Sequence, residues 1–178
     1  QDESPTSRPP LQGPSAGCAA RQGAYALSMA HIIEDFTVAV PPSTAFAYVA
    51  DFTNTRHWDP QIDEARRLDS GPIGVGSAFE VALRIGSRTT MLVYTIMVFS
   101  PDEHVVLETS GSWYRGRDDV RIRPSAIGGS EVRWDAVFAL RGPLVILEPL
   151  LRVGFRRTAR KAVDGLEAAL TALRTEEE

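Results

Sequence analysis

The chain has 178 residues, of which 43% are hydrophobic and 24% charged, and its formal net charge is −4. These values are typical of one globular domain with a sizeable core, and the negative charge gives no reason to expect a nucleic-acid partner. The one cysteine and the three separated histidines exclude a disulfide framework and have no zinc-ligand spacing, so we expect neither a metal nor a cofactor.

The first 28 residues differ in composition from the rest. They are rich in Pro, Gly, Ser, Gln and Ala and lack an apolar period. Such a segment cannot bury enough apolar surface to offset the entropy of ordering. We therefore predict a disordered tail at 1–28 and a single domain at 29–175. No segment has the apolar character of a signal peptide or a membrane span, and we expect a cytoplasmic protein.

The folded part begins with short elements separated by turn residues. Alternating apolar residues, Pro and Gly punctuation and capping residues indicate where each element starts and stops. The predicted elements are a strand at 31–40, a short helix at 44–50 capped by Ser43, a short helix or turn at 54–57, a strand at 62–68, a glycine turn at 71–76, and then a series of antiparallel strands up to residue 140.

Three turns, at 86–87, 100–103 and 124–130, and the loop that contains Trp113 and Tyr114 fix how the later strands pair, because directly opposed residues point to the same face of a sheet. The predicted pairs are Phe79–Tyr94, Val81–Leu92, Leu83–Thr90 and Ile85–Arg88; Tyr94–Thr109, Ile96–Leu107 and Val98–Val105; Thr109–Asp118, Leu107–Val120 and Val105–Ile122; and Ile122–Val132, Val120–Trp134 and Asp118–Ala136. One inner face results. It is apolar except for Arg88, Thr90, Tyr94, Thr109 and Asp118, and such departures from pattern tend to mark functional positions.

A long amphipathic pattern closes the chain, from Gly142 to Arg174. Its apolar residues recur at helical spacing and would pack on the sheet. Pro149 interrupts it, and we expect a kink or a break there. On the polar side we expect Arg160 to pair with Asp164.

Three stretches resemble one known group of proteins. VAVPPSTAFAYVADFTNTRHWDP, GPIGVGSAF and LRGPLVILEPLL resemble the first strand and short helices, the glycine turn and the start of the last helix in the polyketide cyclase/dehydrase-like branch of the START-like (SRPBCC) superfamily. The resemblance implies the helix-grip fold of class α+β. In this fold, a curved seven-stranded antiparallel sheet wraps around a long C-terminal helix, and two short helices follow the first strand.

The resemblance also implies a function. Members of the superfamily typically hold a small hydrophobic molecule, such as a polyketide, a lipid or an aromatic compound, in a cavity between the sheet and the long helix. Residues 29–175 would then form one START-like ligand-binding domain. The inner-face and mouth residues that we expect to bind the ligand are Trp58, Phe79, Val81, Leu83, Leu92, Tyr94, Leu107, Thr109, Trp113, Tyr114, Val120, Trp134, Phe138, Leu147, Leu151 and Phe155.

Several positions allow more than one interpretation. Trp58 is a packing residue beneath the mouth or a ligand contact. The Tyr94 hydroxyl bonds either Thr109 or a ligand oxygen. Arg88 and Asp118 form an ion pair with each other, turn outward where the strand ends twist, or face the cavity.

Three functions fit these residues. The first is binding of a hydrophobic ligand without catalysis. The second is an aromatase/cyclase-type enzyme, in which Tyr94 and Asp118 transfer protons and Arg88 stabilises an enolate. The third is a lipid carrier or a protein-interaction module of the chaperone-associated kind. A basic helix face (Arg152, Arg156, Arg157, Arg160, Lys161) allows weak membrane-surface contact, and we expect a monomer or a homodimer.

Overall fold

The computed structural model describes residues 30–143 and 148–176, without the side chains of 148–153, 156 and 174–176. The expected tail at 1–28 lies outside the described residues. The elements are β1 (Ala30–Val38), α1 (Pro42–Ala50), a 3₁₀ turn (Phe52–Asn54), α2 (Thr55–Trp58), β2 (Ile62–Arg67), β3 (Ala78–Ile85), β4 (Arg88–Ser100), β5 (His104–Ser110), β6 (Tyr114–Pro124), β7 (Ser130–Leu140) and α3 (Glu148–Glu176).

The strands form one antiparallel seven-stranded sheet in the order β1-β7-β6-β5-β4-β3-β2. The first strand therefore pairs with the last, and β1 and β2 are the two edges. The short helices leave from one end of β1, and α3 packs on the inner face and contacts β1 and α2. This arrangement confirms the predicted helix-grip fold. No helix in the described ranges has both the length and the apolar character needed to cross a membrane.

The predicted register is correct for two of the strand pairs. All four predicted β3–β4 pairs occur, from Phe79–Tyr94 to Ile85–Arg88. The β6–β7 pairs Ile122–Val132, Val120–Trp134 and Asp118–Ala136 also occur as predicted. In both cases a compact turn joins the strands, so the turn residues alone set the pairing.

The register is wrong in two places. Between β5 and β6, Thr109 lies opposite Gly116, not Asp118, and Val105 lies opposite Val120 instead of Ile122, because a tight turn closes the loop where Gly111 N donates to Tyr114 O at 3.0 Å. Leu107 accordingly pairs with Asp118. Between β4 and β5, a bulge after Ile96 puts Phe99, not Val98, opposite Val105. The β5–β6 error is two residues, an even shift, so the residues assigned to the inner face stay there.

The start of α1 differs from expectation because of proline chemistry. The N-cap of α1 is Pro41, not Ser43, and Pro42 occupies the first helical position. Proline fits there because its fixed φ is helical and its missing N–H would have had no partner. The described part of α3 spans Glu148–Glu176, and the kink or break expected at Pro149 stays a prediction. Residues 144–147 lie outside the described residues.

The interior is divided between a packed core and an open space. The core consists of inner-face side chains under the later turns of α3, where Leu166 and Leu170 are fully buried against residues such as Phe79, Leu107 and Ile122. The earlier turns of α3 cover the open part. On the outside, Arg160 lies 3.8 Å from Glu34 of β1, which replaces the expected pair with Asp164.

α3 touches the segment after α2 most closely at Gly165. A Cβ atom added there would lie 2.1 Å from the carbonyl oxygen of Trp58 and 3.0 Å from its carbonyl carbon. Real Cβ atoms do not approach backbone that closely, so only glycine allows this contact. The close approach of Gly165 thereby sets the position of Trp58 and of Asp59, which follows it.

Gly165→Ala is expected to destabilise the fold by about 1–3 kcal/mol, because the helix or the Trp58 backbone must shift to accept the methyl group. Gly154→Ala is the matched control on the same helix, since a Cβ atom there meets nothing within 4 Å. This change should stabilise α3 by up to about 1 kcal/mol through helix propensity. Urea unfolding of both variants measures the two free energies, and an equal effect at both positions would contradict the contact.

Candidate functional site

A cavity of about 870 Å³ lies between the inner face of the sheet, the segment around α2, and the first half of α3. Its wall is mainly apolar. The lining residues are Ile32, Phe52, Thr55, Trp58, Asp59, Gln61, Ile62, Val81, Leu83, Ile85, Gly86, Arg88, Thr90, Leu92, Tyr94, Trp113, Asp118, Trp134, Ala136, Phe138, Leu140, Gly154, Phe155, Thr158, Ala159 and Ala162.

Many of the residues that the sequence analysis selected lie in this wall. They are Trp58, Val81, Leu83, Leu92, Tyr94, Trp113, Trp134, Phe138 and Phe155, together with the catalytic candidates Arg88 and Asp118. Leu147 and the side chain of Leu151 lie outside the described part of the chain. That the wall residues contact a ligand stays a prediction.

Other selected residues do not reach the cavity. Phe79, Leu107, Thr109, Tyr114 and Val120 are all buried away from its wall. Phe79, Leu107 and Val120 belong to the packed core, where the leucines of α3 fill the space above the sheet. Tyr114 stacks on Phe138, with ring centroids 5.9 Å apart, so Phe138 covers that part of the sheet.

The most important wall residue that the sequence analysis missed is Asp59. It follows the last residue of α2, its backbone N–H donates to Thr55 O at 2.8 Å, and its Oδ1 accepts from the N–H of Gln61 at 2.8 Å. The only sequence signal was its place between Trp58 and Pro60. Proline after it excludes a continuing helix, and a carboxylate in such a turn usually caps backbone groups.

Arg88 and Asp118 do not form the ion pair that was one of the alternatives. Oδ1 of Asp118 instead accepts a hydrogen bond from Nε1 of Trp134 at 2.9 Å. Arg88 is exposed at the start of β4. The two groups therefore reach the cavity wall as separate charges.

Tyr94 lies opposite Thr109 in the sheet, but the two hydroxyls make no hydrogen bond. The Tyr94 ring packs on Phe52, with centroids 4.7 Å apart. Within the described ranges, Oγ1 of Thr109 is buried without a partner. Of the two alternatives for the Tyr94 hydroxyl, the bond to Thr109 is thus absent, and the hydroxyl stays available to the cavity.

Burial changes the acidity of the polar groups in the wall. Burial raises the pKa of Asp118 to about 7, although the Trp134 hydrogen bond lowers it and the Asp59 charge raises it further. Burial also raises the pKa of Asp59 to about 6, although the hydrogen bond from the Gln61 N–H lowers it. The pKa of the Tyr94 phenol lies well above its usual value because of burial and the charges of Asp118 and Asp59. Near neutral pH the cavity thus holds groups that can both give and accept protons.

The histidines lie apart from this cluster. His57 is exposed and accepts a bond from Nε of Arg56 at 3.1 Å. His104 pairs with Asp119 through Nε2, at 2.8 Å. Among the described residues, no group of three or more His, Cys, Asp or Glu side chains is arranged to hold a metal ion.

Solved structures share this fold at low identity. A START superfamily protein from Mycobacterium smegmatis is 15% identical with a TM-score of 0.67, over 80% of this chain and 98% of that one. The ZhuI aromatase/cyclase from Streptomyces sp. R1128 is 11% identical with a TM-score of 0.66, over 80% and 93%. The di-domain aromatase/cyclase StfQ from the steffimycin biosynthetic pathway is 12% identical with a TM-score of 0.67, over 89% and 56%. At these identities the likeness concerns the fold alone.

No curated protein matches the chain. The family model described as "Polyketide cyclase / dehydrase and lipid transport" matches residues 29–176, which is most of the chain and all of the described fold. The chain therefore belongs to the polyketide cyclase/dehydrase and lipid transport family.

Proposed function

We propose that the protein binds a small hydrophobic molecule, an aromatic or acyl compound, in the cavity under the first half of α3. The observation that carries the proposal is the cavity itself, with a volume of about 870 Å³ and a mainly apolar wall. Pockets for small organic ligands usually have volumes of about 300–1,000 Å³ and place a few polar groups among apolar ones. This cavity has both properties.

Aromatic rings line the proposed binding space on two sides. On one side Phe138 and Phe155 stack with centroids 6.4 Å apart. On the other, Trp58 meets Trp134 edge to face at 5.4 Å. Flat rings contact a planar ligand over a large area and lose little conformational entropy on binding. These contacts favour an aromatic or ring-shaped ligand over a flexible one.

A cytoplasmic location, a monomeric or homodimeric state, and the carrier or partner-binding alternative stay predictions from the sequence. Arg157, Arg160 and Lys161 are exposed on α3, as weak contact with a membrane surface requires. The family description includes lipid transport, which supports the carrier alternative as a special case of ligand binding.

The second candidate function is cyclisation or dehydration of a poly-β-ketone. The specific observation in its favour is that Asp118 has a pKa of about 7 inside the cavity. A carboxyl group with this pKa exchanges protons readily at neutral pH. Tyr94 would donate to a carbonyl oxygen, and Arg88 would stabilise an enolate near the cavity opening.

Ala136→Phe is expected to abolish binding of a neutral aromatic probe. Ala136 lies on the inner face of β7 in the cavity wall, so a phenyl ring there would occupy the binding space. Isothermal titration with 2-naphthylmethanol measures the loss. Val137→Phe is the matched control, because Val137 is the next residue of β7 and faces the other side of the sheet. Equal binding by the wild type and Ala136→Phe would contradict the proposed site.

Asp118→Asn is expected to make the protein more stable at pH 8 than the wild type, and equally stable near pH 4. The folded-state pKa of about 7 is above the ordinary value of 3.8, so the native state binds more protons and loses stability as pH rises between these values. Above pH 7, ionisation of Asp118 lowers the free energy of unfolding of the wild type by at most about 4 kcal/mol. Asparagine keeps the acceptor for Trp134 and removes the charge.

Urea unfolding at several pH values measures the difference between Asp118→Asn and the wild type. Asp135→Asn serves as the control, since Asp135 lies on the outer face of β7 and bonds His31 at 2.8 Å. The free energy of unfolding of Asp135→Asn at pH 8 should not exceed that of the wild type. A pH-independent difference for Asp118→Asn would show that Asp118 is ionised as readily as an ordinary aspartate.

If the second candidate function holds, Tyr94→Phe and Arg88→Ala will each lose cyclised product while their unfolding curves stay near that of the wild type. Arg84→Ala is the control, because Arg84 bonds Asp63 at 2.7 Å outside the cavity. Product formation is measured on a synthetic poly-β-ketone thioester by mass spectrometry. Full turnover by both variants would eliminate the catalytic assignment and leave the binding proposal intact.

A further inference from the structure

Three acidic side chains of the cavity wall lie near one another. Asp59 after α2, Tyr94 of β4 and Asp118 of β6 all line the cavity and lie close enough to affect each other's ionisation. Two tryptophans connect them, since Trp58 precedes Asp59 and meets Trp134, which in turn bonds Asp118. We call Asp59, Tyr94 and Asp118, with the rings of Trp58 and Trp134, the acidic end of the cavity.

Hydrogen bonding at the acidic end is incomplete. One oxygen of each carboxyl group is used, by Trp134 for Asp118 and by the N–H of Gln61 for Asp59. Among the described residues, no hydrogen bond engages the second oxygen of either group or the Tyr94 hydroxyl. The indole N–H of Trp58, a residue only 6% exposed, is also buried without an acceptor in the described part of the chain. Buried polar groups are normally satisfied, so vacant atoms indicate where polar groups of a ligand bind. The carboxyl oxygens and the Tyr94 hydroxyl can accept from a donor on the ligand, whereas the Trp58 N–H needs a separate acceptor.

The charge at the acidic end is not balanced by a nearby cation. Of the wall residues whose side chains are described, Arg88 is the one cation, and it is exposed at the start of β4. The charge that acts on Asp118 is that of Asp59. Carboxylates in apolar surroundings are costly unless a positive group pairs with them. A ligand with a cationic group would supply that partner, whereas a carboxylate ligand would be repelled.

We propose that the acidic end binds the protonated amino group of a hydrophobic amine, whose apolar part fills the rest of the cavity. Asp59 and Asp118 accept hydrogen bonds from the ammonium group. Aromatic rings around a cation add a further attraction, because the ring face is negative. Trp58, Trp134 and Tyr94 supply those rings. This inference rests on the proposed binding of a hydrophobic ligand and names the class of that ligand.

Three probes of equal size separate charge from shape: 2-naphthylmethylamine, 2-naphthylmethanol and 2-naphthoate. Isothermal titration of each into the protein at pH 7.5 gives its dissociation constant. Hydrogen bonds to charged groups are worth roughly tenfold or more in affinity. The amine should therefore bind at least about tenfold tighter than the alcohol, and the carboxylate should bind more weakly than the alcohol.

Single substitutions test whether the acidic end causes the preference for the amine. Asp59→Asn and Asp118→Asn should each lower the ratio of amine affinity to alcohol affinity by about tenfold. Either variant alone is a sufficient test should the other fail to fold. Asp135→Asn removes an aspartate from the outer face and should change neither affinity.

The outcomes distinguish the two proposals. If the alcohol binds but the amine binds no tighter, the amine inference is overturned and hydrophobic-ligand binding stands. If the amine preference survives both Asn variants, the acidic end is not its cause and the inference is overturned as well. If none of the three probes binds, the proposed function itself fails.

Discussion

Side-chain size changes along the inner face of α3, and this change determines which part of the interior is filled. Its later turns present Leu166 and Leu170, which are fully buried against the sheet. Its earlier turns present Gly154, Thr158 and Ala159 beside one large side chain, Phe155, and all four line the cavity. Because folded interiors otherwise pack to high density, a face of mainly small residues leaves space beside the one aromatic ring. The sheet forms the outer wall of the cavity, and the side chains of α3 determine which part of the interior stays open.

α3 also fixes the position of the acidic end of the cavity. Gly165 sits against the backbone of Trp58, so α3 holds the residue that precedes Asp59. Asp59 and Asp118 then face an apolar space from two separate elements, α2 and β6. Burial makes their ionised forms costly, which is why their pKa values rise. Groups with raised pKa values in a cavity are typical of functional sites, which supports the proposed ligand recognition and, for the second candidate function, proton transfer.

Much of the fold and part of the site could be predicted from the sequence. Alternation and turn residues predicted the inner-face placement of Tyr94 and Asp118, because successive side chains of a strand alternate between its two faces. The bulge after Ile96 breaks this alternation and puts Phe99, not Val98, opposite Val105. Alternation reports which face a residue occupies but not how deep it lies. Phe79 and Leu107 were therefore expected in the wall and lie in the core.

The remaining errors have physical causes that a local pattern does not contain. The bulge after Ile96 and the short turn before Tyr114 depend on pairing between strands. Asp59 belongs to no periodic segment, and its burial arises from the contact of α2 with α3. The separation of Arg88 from Asp118 is likewise a property of the folded sheet, where they stand on different strands.

A crystal structure of the protein grown with 2-naphthylmethanol will show whether the space under the first half of α3 binds a hydrophobic ligand. We expect ring-shaped electron density between Ala136 of β7 and Phe155 of α3, with the surrounding side chains placed as described. An interior closed by inward movement of Phe138 and Phe155, with no ligand density between sheet and helix, would contradict it.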